Sequence, residues 1–218
     1  MKRPQEIGLF DFDGTLVNGD SFLRFGVYAV GKAKFVIALF KALPWIAAWK
    51  TGLLISSRAK EKLFGLLFKG MPYAEFKRKG ESFASEMEGV LRRDVLQELE
   101  RVHATGGLVV IASASVEEWI RPWAERYDVD FVIATKAEVD SDGKLTGGFS
   151  TPNCRGAEKA RRVRECLDGI LGDKTRAYAT RNYGMHSGEE AECVRVCAWG
   201  NLPDDREMLD MADESHPV

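Results

Sequence analysis

Ile7-Gly8-Leu9-Phe10-Asp11-Phe12-Asp13-Gly14-Thr15-Leu16 decides how the rest of the chain is read. A short apolar run ends in two carboxylates one residue apart, followed by a Gly-Thr turn. A run of this length bounded by a turn signal suits a strand buried on both faces. Two similar runs lie further on, Leu108 to Ala112 before Ser113 and Val194 to Trp199 before Gly200. Helical patterns separate them, over Val116 to Tyr127 and Ala157 to Leu167. Strands alternating with helices predict an α/β protein with a parallel sheet in a three-layer, Rossmann-like arrangement. Ligands of such sheets sit at the carboxyl ends of the strands. Asp11, Ser113 and Asn201 therefore converge on one edge.

Residues 131 to 151 read differently. Phe131 to Thr135 is β-prone, and Lys136 to Val139 and Leu145 to Phe149 flank Asp142-Gly143, a hairpin signal. A strand and a small ribbon serving as scaffold are expected. Residues 20 to 95 carry apolar residues at helical spacing with few turn signals, which predicts a helical insertion folding over the site. The domain reading is thus a catalytic core of 1–19 and 96–218 with a helical cap of 20–95.

The chain has 218 residues and 45% hydrophobic content, enough for one core and a small accessory domain. A formal net charge of -2, with both signs interspersed, gives no global basis for nucleic-acid binding. Cys154, Cys166, Cys193 and Cys197 lack metal-finger spacing, and Ile7 to Phe10 is too short for a signal peptide. Free thiols in a reduced, cytoplasmic setting are expected.

A carboxylate attacks phosphorus poorly unless a metal screens the phosphate charge and holds the groups in line, so the Asp11–Asp13 pair points to Mg2+. An isolated Asp-x-Asp is more often a solvated turn or a helix cap. At these residues the sequence resembles the haloacid dehalogenase superfamily, whose signature is Asp-x-Asp-x-Thr after the first strand. That resemblance implies a phosphatase in which Asp11 becomes phosphorylated and Asp13 acts as general acid and base. It assigns phosphate binding to Ser113, Ala114 and Gly14, the first two in Leu108-Val-Val-Ile-Ala-Ser113-Ala-Ser115. Asn153-Cys154-Arg155-Gly156-Ala157-Glu158-Lys159 is similar to the third motif of the phosphoserine-phosphatase-like branch, with Lys159 as the cation that holds the phosphoryl oxygens.

Gly200-Asn201-Leu202-Pro203-Asp204-Asp205 resembles the acidic fourth motif, with Asn201 where an Asp is common. The implied metal ligands are Asp11, Asp13, Asn201 and Asp205, with Asp204 as the alternative if the loop is shifted by one. Asn201 contributes one negative charge fewer, which bears on metal affinity. The spacing from Lys159 to Asn201 is longer than one helix, one strand and a turn require. Lys174 to Thr180 is the expected strand, and 181–192, with His186, an added loop of unassigned role.

The insertion is unusually apolar. Phe35 to Phe40, Leu43 and Trp45 to Trp49 are interrupted by Lys41 and Pro44 and end at Lys50, too short and too charged to span a bilayer. Two readings stay open: a helix buried against Leu63, Phe64, Leu67 and Phe68, or a peripheral contact of 35–50 with the inner membrane surface. The second resembles phosphatidylglycerophosphate phosphatases and implies a lipid or amphipathic phosphate substrate. The first leaves a small phosphorylated molecule, as in phosphoserine phosphatase, although Asp20 stands where that family favours a longer acid. A phospho-accepting receiver domain and a degenerate binding scaffold are the non-enzymatic alternatives.

Overall fold

The computed structural model describes residues 5–52, 56–171 and 194–218. Strands β1 (Glu6–Phe10), β2 (Leu108–Val116), β3 (Phe131–Thr135), β6 (Arg195–Gly200) and β7 (Glu214–Pro217) form one sheet in the order β3-β2-β1-β6-β7. Every neighbouring pair in it is parallel. The chain runs outward from β1 through β2 to β3, then returns to lay β6 and β7 on the other side. The crevice where the order reverses is at the carboxyl end of β1, directly before Asp11.

Alternation along the strands sorts the two faces. Ile7, Leu9, Val110, Ala112, Val196 and Ala198 pack with Val163 and Leu167 of α7 (Ala157–Leu171) and with Met208 and Leu209 of α8 (Arg206–Leu209). Phe10, Val109, Ile111, Cys197 and Trp199 face the other way, toward α5 (Arg93–Ala104) and α6 (Glu117–Arg126). Three layers result, as the alternation of elements predicts. The edge strand β7 was not legible in Glu214-Ser-His-Pro because an edge position tolerates polar residues and proline. The strand expected at Lys174 to Thr180, the loop 181–192, His186 and Cys193 lie outside the described residues.

Between β1 and β2 run α1 (Ser21–Val30), α2 (Lys32–Lys50), α3 (Ser56–Phe68), α4 (Tyr73–Glu86) and a 3-10 turn over Met87–Val90. The Asp20 carboxylate caps α1 by accepting from the Leu23 N–H at 3.1 Å. Their shared core is aromatic: Phe25 stacks on Trp119 of α6 at 4.4 Å between ring centroids, and Phe64, Phe68, Phe76 and Phe83 close around it. The insertion is thus seated on α6 through one continuous hydrophobic cluster. Gly80 lets α4 approach the α6 backbone at Glu118 more closely than any side chain would allow.

The ribbon forms as the Asp-Gly signal predicts, with β4 (Ala137–Val139) antiparallel to β5 (Leu145–Phe149). Its role extends beyond scaffold for the core. Leu145 exchanges backbone hydrogen bonds with the turn after α3, and Phe149 meets Phe64 at 4.9 Å. The ribbon therefore braces the inserted helices from below.

Candidate active site

Strand β1 delivers Asp11 to the crevice with its backbone N–H bonded to the Trp199 carbonyl at 2.9 Å. Its carboxylate is buried. Lys159, near the start of α7, donates from Nζ to Asp11 Oδ1 at 2.7 Å and to Asp205 Oδ1 at 2.5 Å. All three side chains are at most 7% exposed. Thr15 Oγ1 donates to Asp11 Oδ2 at 3.3 Å. Burial pushes the Asp11 carboxyl up to about 7 against the pull of Lys159, with Asp205 adding repulsion. Burial also works against the Lys159 charge, but the attraction of Asp11 and Asp205 overcomes it and holds the ammonium ionised.

Asp13 is held from the opposite side. Its Oδ1 accepts the Ser21 N–H at 2.7 Å, and its Oδ2 takes a very short hydrogen bond from Ser115 Oγ. Ser21 Oγ donates to Ser115 Oγ at 3.0 Å, and Trp119 Nε1 donates to Ser21 Oγ at 3.1 Å. A buried relay from α6 through α1 to the end of β2 thus fixes one carboxylate. Burial, reinforced by Asp20, raises the Asp13 carboxyl above the ordinary range, opposed by Lys60, Ser115 and Ser21. The shift favours the protonated form, the form a general acid needs.

The structure brings most of the sequence-predicted residues together. Asp11, Asp13, Ala114, Lys159, Asn201 and Asp205 all line one cavity of about 420 Å3. Ser113 is fully buried behind that lining, with its Oγ accepting the Ser115 N–H at 3.0 Å. Gly14, also expected at the phosphate, sits in the turn that follows Asp13. Its N–H is already committed to the Val17 and Gly19 carbonyls, at 2.9 and 3.1 Å. What the turn needs from Gly14 is conformation: φ is +79°, and a Cβ there would stand 2.5 Å from Asn201 Nδ2.

Four participants were missed. Ser21 and Ser115 looked like ordinary polar residues at element ends. Lys60 of α3 reaches the site from the insertion, donating to the Ala114 carbonyl at 3.0 Å over the Phe22 ring. Arg155 also lines the cavity, where it pairs with Asp204 at 2.5 Å. The motif order could have flagged Arg155 beside Lys159, whereas nothing local marks Lys60.

The groups able to hold a cation are all oxygens. Asn201 Nδ2 donates to the Asp13 carbonyl at 2.8 Å, and Asn201, Asp13 and Asp11 all line the cavity. Among the described residues no group of three or more His, Cys, Asp or Glu is preassembled as a metal cluster. The set instead mixes carboxylate, carbonyl and amide. Such hard donors fit Mg2+. Asp205 is engaged at both oxygens, with Oδ1 bound to Lys159 and Oδ2 accepting the Asn201 N–H at 2.9 Å. It holds the other groups in place. Asp204, the alternative ligand, is engaged by Arg155.

The profile of haloacid dehalogenase-like hydrolases matches residues 9–210. The chain belongs to that family. Protein CicA of Caulobacter vibrioides is 29% identical over 208 residues, spanning 94% of this chain and 82% of CicA. Among solved structures, a protein of unknown function from Bordetella pertussis Tohama I superimposes with a TM-score of 0.72 at 21% identity, over 97% of this chain and 88% of that one. A phosphoserine phosphatase solved as a phospho-aspartyl intermediate analogue gives 0.61 at 19% identity, over 98% and 86%. These two likenesses show that the three-layer sheet and its inserted helices are a shared fold.

Proposed function

We propose that the protein is a Mg2+-dependent phosphomonoester hydrolase that works through an aspartyl phosphate on Asp11. One observation carries this: two buried carboxylates of different environment flank one cavity, Asp11 clamped by Lys159 and Asp13 pinned by Ser115 and Ser21. Environments that separate two acids in this way assign them different tasks.

Asp11 Oδ attacks phosphorus, forming the acyl phosphate as the bond to the leaving oxygen breaks. Asp13 gives its proton to that oxygen. Asp13 then takes a proton from water as the water attacks the acyl phosphate, releasing phosphate and restoring Asp11. Lys159 holds Asp11 in line and offsets charge on the phosphoryl oxygens. When bound, Mg2+ would be held by the Asp11 carboxylate, the Asp13 carbonyl and the Asn201 amide oxygen, and would neutralise phosphoryl charge.

A specific feature favours an amphipathic substrate. Besides the acids, the cavity is lined by Phe22, Leu23, Leu39, Ile46, Trp49 and Leu63. A phosphate monoester with an apolar body satisfies both ends, as a lipid with a terminal phosphate does. A phosphoserine-like substrate would instead rely on Asp20 and Lys60 for its ammonium and carboxylate. The test is hydrolysis of an aryl phosphate with and without Mg2+, followed by a panel of monoesters from phosphoserine to phosphatidylglycerophosphate. Asp11→Asn is expected to abolish turnover while the far-UV spectrum stays native. Phosphate release by that variant at the wild-type rate removes the mechanism.

A further inference from the structure

Helix α2 is apolar on two sides, and only one of them is used by the fold. Phe35, Ala38 and Ala42 are buried. On the other side Val36, Ile37, Phe40 and Leu43 are 46%, 57%, 67% and 48% exposed. Wound at about 100° per residue, these four and the exposed Ala47 fall within about 120° of arc, opposite the buried residues. The four charges of the helix border that stripe: Lys32 and Lys50 lie along one edge, Lys34 and Lys41 along the other. The helix has no acidic residue. The stripe is contiguous, whereas exposed apolar residues on a folded surface are ordinarily scattered.

We propose that this face of α2 docks on an anionic phospholipid surface, with the stripe entering the acyl boundary and the lysines meeting the headgroups. A stripe rimmed by cations on both edges is the arrangement of a helix lying in the plane of an interface. The position of the cavity gives a second argument. Leu39, Ile46 and Trp49 of the same helix line it, and Leu23, 43% exposed, belongs both to its lining and to the outer surface. An amphipathic ester in the bilayer would pass from the surface to Asp11 along one helix. No helix among the described residues is long and apolar enough to cross a membrane, so the contact is peripheral.

The proposal rests on the surface of α2 and stands apart from the hydrolytic reading, so the two are tested separately. The full chain is floated with vesicles of phosphatidylcholine alone and with vesicles containing about 30 mol% phosphatidylglycerol, at low salt and at about 0.5 M salt. Flotation is expected with the anionic vesicles at low salt, weakening in high salt and without phosphatidylglycerol. Ile37→Glu with Phe40→Glu is expected to lower the bound fraction at least tenfold while leaving hydrolysis of a soluble aryl phosphate unchanged, since neither residue lines the cavity. Lys34→Glu with Lys41→Glu is expected to weaken binding to anionic vesicles and leave the trace binding to neutral ones as it was. Absence of flotation with anionic vesicles overturns the proposal, as does binding unchanged in the doubly acidic variant. A wild-type dimer in solution that Ile37→Glu with Phe40→Glu dissociates also overturns it, because a second copy would then cover the stripe.

Discussion

Lys159→Met removes the cation between Asp11 and Asp205 and keeps the length of the side chain. The lysine is 2% exposed, and its Nζ lies 2.7 and 2.5 Å from the two carboxylates. Breaking a buried pair by deleting one partner costs about 3–5 kcal/mol, because the remaining charge is uncompensated. Asp11 answers by taking up a proton. An acid whose folded pKa lies above its unfolded value loses stability as pH rises through that window. Asp11, at about 7 against an ordinary 3.8, already does so in the wild type. Between pH 8 and 5.5 the wild type therefore regains about 2 kcal/mol from this group, at about 1.4 kcal/mol per pH unit below 7. In the variant, with the lowering pull of Lys159 gone, the Asp11 carboxyl holds its proton across the span and regains about 3.4 kcal/mol. The destabilisation measured by urea unfolding in EDTA is then expected to be about 1.4 kcal/mol smaller at pH 5.5 than at pH 8. With Mg2+ present, kcat on an aryl phosphate should fall about 100-fold to 1000-fold, the range for loss of one preorganised donor to developing charge. A variant as stable as the wild type at pH 8, or one with kcat within about threefold of wild type, refutes the assignment of Lys159 as the charge that holds this site together.

Two further outcomes follow from the same geometry. Ser115→Ala removes the donor to Asp13 Oδ2, and a hydrogen bond to a charged group is worth about 1.5–3 kcal/mol. A loss of kcat of about tenfold or more, with the alkaline limb of the pH–rate profile moved to higher pH, is expected because that bond helps hold the Asp13 carboxyl down. An unmoved profile removes the positioning role. At the far end of β1, Arg101 grips Glu6 with both terminal nitrogens, at 2.8 and 3.0 Å, and holds its carboxyl at about 2, below the ordinary 4.5. At full strength that gap is about 3 kcal/mol, but Arg101 is 40% exposed, and screening leaves about 1–2 kcal/mol. Because the folded value is depressed, this stability is present above pH 4.5 and lost as pH falls toward 2. Wild type and Glu6→Gln should differ in urea midpoint at pH 7 and converge near pH 2 to 3, and a constant difference across that range contradicts the ion-pair account.

Local chemistry made the catalytic edge legible. An apolar run ending in Asp11-Phe-Asp13-Gly-Thr15 must leave a buried strand through a turn, so both acids were placeable from sequence order, as was Lys159 at the start of its helix. Asp142-Gly143 likewise fixed the ribbon, because a two-sided β-prone stretch with that turn has few alternatives.

Tertiary structure decided what depends on which surfaces meet. Ser21, Trp119 and Ser115 lie on three elements far apart in sequence, and only their packing turns them into the clamp on Asp13. Lys60 becomes part of the site because α3 is seated over the end of β2. The N–H of Gly14 bonds to the Val17 and Gly19 carbonyls, a turn that only the folded chain shows. Helix α2 shows the limit most plainly: with apolar residues on both sides, its periodicity could not tell the face packed on α3 from the face left in solvent. Sequence spacing records the direction in which a side chain points, and the fold determines what lies there to receive it.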